Sequence, residues 1–409
     1  MLKKFLSALL CFAVAFTVTI SAFAQSGNVD VRAESVPLYL RYYYDQLSSN
    51  EKSALLKLRS AIIDCDKKIT FESSPNNLKS GDEYSRLLSI LSSYDPLAFN
   101  LDRWSWTYYT SKKCEIEFKY FYQKSTYKAM TAAYEKKVDK ILDKIPDGMS
   151  DYKKIKTIHD SIVNTATYDL TTDNCGNLYG ALVEKRAKCA GYAYTFSYIC
   201  SKAGIKSIYV IGDTYPIEKN SPGHAWNKVY YNKKWYNIDV TWDDPTVNLK
   251  DNLIYDYFMI DDKTISRDHF ETDNYGFTVP AANDSSKAYY KVNKKYATSL
   301  ADAKSIIKSS MKTAVKKNAT VINFQCSSKS VYNKVLNYLG GNEVFDTFHQ
   351  VKGSTNKNLI DYLYYYNDDN QYTITVVLFY EKTSLNKYFV NTSDLDSFTL
   401  DYLRSYGIK

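Results

Sequence analysis

Three residues, Cys189, His224 and Asp239, have the types and spacing for nucleophilic chemistry. Cys189 follows Lys188 and opens a helical run that stops at Gly204. A thiol in the first turn of a helix faces unpaired backbone N–H groups and the positive end of the helix dipole, which favour the thiolate. Lys188 adds a positive charge beside it, and the small Ala190 and Gly191 leave room for a substrate to approach. The same N–H groups can hold an oxyanion. An arbitrary cysteine is more often buried and inert, so the argument for Cys189 rests on its partners.

His224 and Asp239 stand on two alternating runs, residues 224–231 and 235–242, on either side of Asn232-Lys233-Lys234. A symmetric turn about Asn232 and Lys233 sets His224 opposite Thr241. Asp239 is then two residues away on the same sheet face, within diagonal reach of the imidazole. A three-residue turn instead puts the two on opposite faces unless a bulge corrects it. In the first register the aspartate holds one ring nitrogen while the other faces the thiol. That is the nucleophile, base and orienter arrangement of acyl transfer.

The stretches around these residues, Leu178-Tyr-Gly-Ala-Leu-Val183, Lys188-Cys-Ala-Gly-Tyr-Ala193, Gly223-His-Ala-Trp-Asn227 and Trp235-Tyr-Asn-Ile-Asp-Val-Thr-Trp-Asp-Asp-Pro245, resemble the transglutaminase-like superfamily. More narrowly they look like its secreted bacterial members, of the cysteine protease or amidase type. The resemblance implies an α+β fold, a helix bearing the cysteine packed on an antiparallel sheet as in papain-like enzymes. It also implies Cys189 as nucleophile, His224 as base and Asp239 as orienter. Residues from Tyr257-Phe258 through Asp268-His269 look like the closing part of the same domain.

Other residues near these motifs carry weaker readings. Tyr179 is a candidate to complete the oxyanion hole, with a packing aromatic as the equal alternative. Trp226 and Trp242 are candidates to line a substrate groove, although an aromatic on a strand is more often core. Asp243 and Asp244 before Pro245 read as a turn, and His159 reads as a structural histidine within a helix. Cys200 is three helical turns from Cys189, too far for a disulfide between them. With four histidines and no HExxH or CxxC pattern, no metal site and no cofactor are expected.

The elements that must position the site follow from periodicity. Residues 37–64 carry helical spacing, with Ser48 and Glu51 forming a capping box that starts a second helix. Residues 115–122 alternate as a strand, and helices are expected over 127–145 and 152–165. Beyond residue 281, strands on either side of a second Asn-Lys-Lys turn, helix 300–316, strand 319–325, helix 329–339 and a last strand over 372–380 make a separate small α/β unit. The expected division is therefore a signal peptide (1–24), a mostly helical N-terminal region (25–149), a transglutaminase-like catalytic domain (150–280) and a small α/β accessory domain (281–409). On that division a chain ending near Asn283 keeps the whole triad and its activity on small substrates.

Lys3 and Lys4, an apolar run over 5–20 and Ala22-Phe-Ala24 read as a leader cut after Ala24, so the mature chain is expected to be secreted or on the cell surface. A net charge of +8, spread along 409 residues, permits a weak attraction to anionic cell-surface polymers and gives no reason to expect nucleic acid as a partner. No membrane span is expected in the mature chain. The leading function is acyl transfer at amide bonds of proteins or cell-wall peptides through a thioester. Hydrolysis is favoured over cross-linking on the resemblance to secreted bacterial members. The alternatives are a non-catalytic binding or scaffold protein that keeps the fold, and an adhesin acting through residues 281–409.

Overall fold

The computed structural model describes residues 36–408 apart from 215–222, 245–251, 273, 356–357 and 390–394. The expected leader, the polar stretch 25–34 after it and Pro245 lie outside the described residues.

Helices α1 (Leu38–Asp45) and α2 (Ser49–Ile63) meet at the expected capping box. The Glu51 N–H donates to Ser48 Oγ, and the Glu51 carboxylate accepts the Ser48 N–H at 2.9 Å. Strand β1 (Lys68–Phe71), helix α3 (Gly81–Tyr94) and strands β2 (Leu101–Tyr108) and β3 (Cys114–Tyr120) come next. The strands form an antiparallel sheet in the order β1-β3-β2, so the N-terminal region is less purely helical than its periodicity implies. Helices α4 (Lys124–Leu142) and α5 (Asp151–Val163) lead to a short parallel pair, β4 (Thr167–Tyr168) with β5 (Arg186–Ala187).

The central helix α6 (Cys189–Lys202) is buried on nearly every side after its first two residues. Its composition explains this, because apart from its ends it carries only small, aromatic and aliphatic side chains. It packs on the sheet of β6 (Ser207–Thr214), β7 (His224–Tyr231), β8 (Lys234–Ile238), β9 (Phe258–Ile260) and β10 (His269–Glu271). The order is β10-β6-β7-β8-β9, antiparallel throughout. A helix bearing the cysteine on an antiparallel sheet is the α+β layout expected.

One hydrophobic core runs from Val36 to Ala288 and joins the N-terminal helices to this sheet. A second core, from Ala297 to Ile408, lies within a sheet of Tyr296–Ala297, Val321–Cys326, Thr373–Val377 and Tyr364–Asp368 and the helices packed on it. Residues Tyr289–Val292 form a helical turn where the sequence suggested a strand, and helices Glu343–Thr355 and Ser397–Ser405 extend this part beyond the expected elements. The seam between the two cores is polar. Across it Gln371 meets Asp268, Thr373 meets Asp256, Asn323 meets Asn252, and Arg267 meets the carbonyl of Asn370.

Candidate active site

Lys188 is the N-cap of α6 and makes no side-chain cap to the first-turn N–H groups. The Lys188 N–H donates to the Cys175 carbonyl at 2.9 Å, which seats the helix start on the preceding loop. Gly191 faces that same carbonyl. A Cβ there would lie 2.3 Å from Cys175 O, so the glycine is filled by backbone and is not the substrate gap expected from the sequence.

The β7–β8 turn has the two-residue form. Asn232 and Lys233 both have positive φ, 49° and 62°, the twist a tight hairpin demands. The register is the symmetric one, with Asn227 paired to Ile238 and Tyr231 to Lys234. The second strand ends at Ile238, however, well short of residue 242. Asp239 turns the chain there: its Oδ1 accepts the N–H groups of Thr241 (2.8 Å) and Trp242 (3.2 Å). His224 therefore does not face Thr241. Its ladder partner is Gly212 on β6.

The aspartate nevertheless reaches the imidazole. His224 Nε2 lies 2.5 Å from Asp239 Oδ2, and the Cys189 thiol is near enough to act on the same ring. With Nε2 engaged by the carboxylate, Nδ1 is the nitrogen left for sulfur. Burial lowers the His224 pKa, but the charge and hydrogen bond of Asp239 outweigh it and, with Cys189, hold the ring up at about 10. Burial opposes the charge of Asp239, and the two histidines it faces keep its carboxyl well below the usual range.

The second of those histidines, His269 on β10, was not identified from sequence. Its Nε2 lies 2.9 Å from the same Asp239 Oδ2, and its Nδ1 lies 2.6 Å from Asp268 Oδ1. Asp268 Oδ2 in turn accepts from the Tyr257 hydroxyl (2.7 Å) and the Gln371 amide (3.1 Å). The only available signal was the adjacent Asp268-His269 pair near the end of the domain. Among the described residues, His224, Asp239 and His269 are also the one group of such side chains close enough to hold a metal ion. Each of those three ligand atoms is already paired within the group, an arrangement that fits shared protons.

The turn carrying Asp239 is pinned from behind. The fully buried His159 places Nε2 3.0 Å from Asp243 Oδ2, and Asp243 Oδ1 accepts the Tyr257 N–H at 2.9 Å. His159 is thus structural as expected, and it acts on the active-site turn.

The two tryptophans take different parts. Trp226 is 1% exposed, stacks on the His224 ring at 6.2 Å and donates to Asn237, so it is a packing residue and not a substrate contact. Trp242 is half-buried and lies 5.8 Å from the His224 ring, in the wall of a cleft of about 750 Å³. Tyr179 packs against the core at the head of the π-helical turn Gly180–Glu184, and among the described residues no hydrogen bond ties it to Cys189 or His224.

All six cysteines among the described residues are free thiols. Burial pushes Cys114 up to about 11 and Cys326 up to about 12, and it raises Cys200 well above the usual range. Cys189 alone of the six has an imidazole partner.

Comparison with known proteins points to one family. Residues 139–240 match the family model of the transglutaminase-like superfamily. The chain is 23% identical over 182 residues to the kyphoscoliosis peptidase of Homo sapiens, covering 40% of this chain and 28% of that protein. It is 26% identical over 147 residues to the kyphoscoliosis peptidase of Mus musculus, covering 32% and 22%. The match therefore spans less than a third of the length of these relatives. Among solved structures, a TGase aligns with 18% identity and a TM-score of 0.26, over 44% of this chain and 52% of that one. The matched segment holds the cysteine helix α6 and strands β6, β7 and β8, and over residues 139–240 the chain is similar to the transglutaminase-like superfamily.

Proposed function

We propose that the protein is a thiol-dependent acyl-transfer enzyme, exported from the cell, that cleaves amide bonds in proteins or cell-wall peptides. The observation that supports this reading is the pairing of the His224 imidazole with the Asp239 carboxylate, with the Cys189 thiol acting on the same ring.

In the proposed cycle His224 takes the thiol proton, and the sulfur of Cys189 attacks the carbonyl carbon. The oxyanion that forms faces the N–H groups at the start of α6. The C–N bond breaks as the imidazolium gives its proton to the leaving amine, and a thioester remains. Water, deprotonated by His224, then attacks the thioester carbon and releases the acid and the thiol. Asp239 keeps the ring oriented and stabilises its charged form in both halves. An amine in place of water would give cross-linking instead. The names of the two curated relatives, both peptidases, favour water.

Anionic polymers of the cell surface are a proposed secondary partner. A groove of about 990 Å³ beside β2 and β3 brings Lys67, Arg103, Lys119 and Lys124 next to Trp104 and the exposed Phe121.

The test is a thiol-directed probe at neutral pH followed by mapping of the modified residue, alongside release of amines from casein and a peptidoglycan peptide. Rapid labelling confined to Cys189, with hydrolysis lost in Cys189→Ala, is the expected result. Labelling of Cys189 no faster than that of the other thiols would leave the non-catalytic scaffold as the better reading.

A further inference from the structure

The cleft of about 750 Å³ beside the triad has two owners. Tyr168, Thr241, Trp242, Asp244, Asn252, Asp256 and Tyr257 line it from the catalytic side, and the hairpin 366–375 of the second core closes it from the other. It adjoins the reactive centre, because Trp242 packs against His224 and Tyr168 senses the charges of Cys189 and Asp239.

The charge of its wall is one-sided. Asp244, Asp256, Asp368 and Asp369 line it, and no lysine, arginine or histidine does among the described residues, although the chain as a whole carries a net charge of +8. Among the described residues each of these carboxylates is hydrogen-bonded only by neutral donors. Tyr192 donates to Asp244; Tyr290 (2.8 Å) and Thr373 (2.6 Å) donate to Asp256. Backbone N–H groups of Asn370 and Gln371 donate to Asp368; Tyr332 and Asn367 donate to Asp369. Thr241, nine-tenths buried in the same wall, has a hydroxyl with no hydrogen-bond partner among the described residues, a buried polar group left to be satisfied.

We propose that this cleft receives a cationic stretch of the polypeptide substrate, with a lysine or arginine side chain seated among the four aspartates. This rests on the amide-cleaving reading above and names the substrate class for it.

Two further observations favour an organic cation. The four carboxylates do not converge as metal ligands do; among the described residues only the His224–Asp239–His269 group is that tight. Burial, with the charges of Asp243 and Asp368, pushes Asp256 up to about 8, and burial pushes Asp244 up to about 6. Burial disfavours the charge of these carboxylates, and a bound ammonium or guanidinium offsets that cost. The second core is then part of the specificity surface.

The experiment uses full-length Cys189→Ala, which removes turnover, and fluorescence anisotropy with three labelled decapeptides of lysine-rich, glutamate-rich and serine–glycine composition. We expect the lysine-rich peptide to bind at least about tenfold more tightly than the others, and the preference to fall with added salt. Asp368→Asn with Asp369→Asn should remove most of that preference. Asp244→Asn, outside the hairpin, should weaken it independently if the double variant folds poorly. Equal binding of all three peptides, no binding of any, or a preference unchanged in both variants overturns the proposal. Selective labelling of Cys189 in the wild-type chain is read separately, so a failed cleft and a failed nucleophile give different results.

Discussion

The side-chain amide of Gln371 donates to Asp268 across 3.1 Å, although 103 residues separate them in the chain. Asp268 holds His269, His269 holds Asp239, and Asp239 holds His224. The second core thus touches the proposed catalytic imidazole through a line of buried hydrogen bonds. Gln371→Leu should cost about 1–3 kcal/mol, since the buried Asp268 loses a donor that no water replaces. It should also slow alkylation of Cys189 severalfold, whereas Gln371→Glu, which brings a second carboxylate against Asp268, should be worse than leucine. Urea unfolding and iodoacetamide kinetics on the same samples measure both effects. Unchanged alkylation in a destabilised Gln371→Leu would make this contact structural only.

The same line alters the expectation for a chain ending near Asn283. Such a chain keeps Cys189, His224 and Asp239 but loses Gln371, Thr373 and Asn323 from the seam. Buried Asp268 and Asp256 would be left with fewer donors. We expect it to be soluble at best as a destabilised form, with Cys189 labelling at least tenfold slower than in the full chain. Full-rate labelling of the truncated protein would show that the seam does not support the site.

Asp239→Asn should do more than alter a tautomer. The carboxylate accepts two ring nitrogens and two backbone N–H groups while fully buried, so an amide must turn its own donor toward one of them. Breaking a buried ionic network of this kind costs roughly 3–5 kcal/mol. Turnover should fall by about 10³ or more. Cys189→Ala should abolish turnover with a small change in melting temperature. The pair of melting curves separates the roles, and an Asp239→Asn protein as stable as wild type would remove the network argument.

How much of this was legible in the sequence depends on how local each determinant is. The hairpin register could be narrowed to two choices because Asn232-Lys233 and the flanking alternation lie within a dozen residues, and the structure adopts the symmetric one. The end of the second strand could not, because Asp239 leaves the ladder to satisfy Thr241 and Trp242, and alternation continues in the sequence past the point where pairing stops. His269 was hidden for a related reason. Its partner lies 30 residues away, and only the fold brings the two together. Tryptophan identity also left Trp226 and Trp242 equivalent, whereas position separates them: one is a mid-sheet residue under His224 and the other sits on the turn at the cleft mouth.

Gly191→Ala should be costly for so small a change. A methyl group placed 2.3 Å from the Cys175 carbonyl must push the loop off the helix start, and strain of this kind costs about 1–3 kcal/mol. Because that carbonyl also takes the Lys188 N–H, the shift displaces Cys189 itself. Labelling of Cys189 should slow in a protein whose circular dichroism is unchanged. Wild-type melting and labelling would mean that the loop yields without strain.

The titration of the buried groups predicts a stability profile with opposing slopes. His224 is held up at about 10, so its contribution is full below its ordinary 6.5 and is lost as pH rises through 10. Asp239 is held below its ordinary 3.8, so its contribution is present above that value and is lost in acid. Asp256 is raised, and its sign is therefore that of the histidine: its protonated form favours the fold below 3.8, and the advantage is gone above about 8. Ionised Asp256 is thus a liability in alkali. Asp256→Asn keeps an acceptor for the Tyr290 hydroxyl and offers its amide to Thr373, whose hydroxyl can turn to accept. It should raise the unfolding free energy by at least about 1 kcal/mol near pH 9, and by much less near pH 5, where the folded wild type keeps Asp256 protonated and holding that proton costs little so close to its ordinary 3.8. Urea unfolding at the two pH values reads the difference. A variant destabilised equally at both would mean that the carboxylate's two hydrogen bonds outweigh its charge.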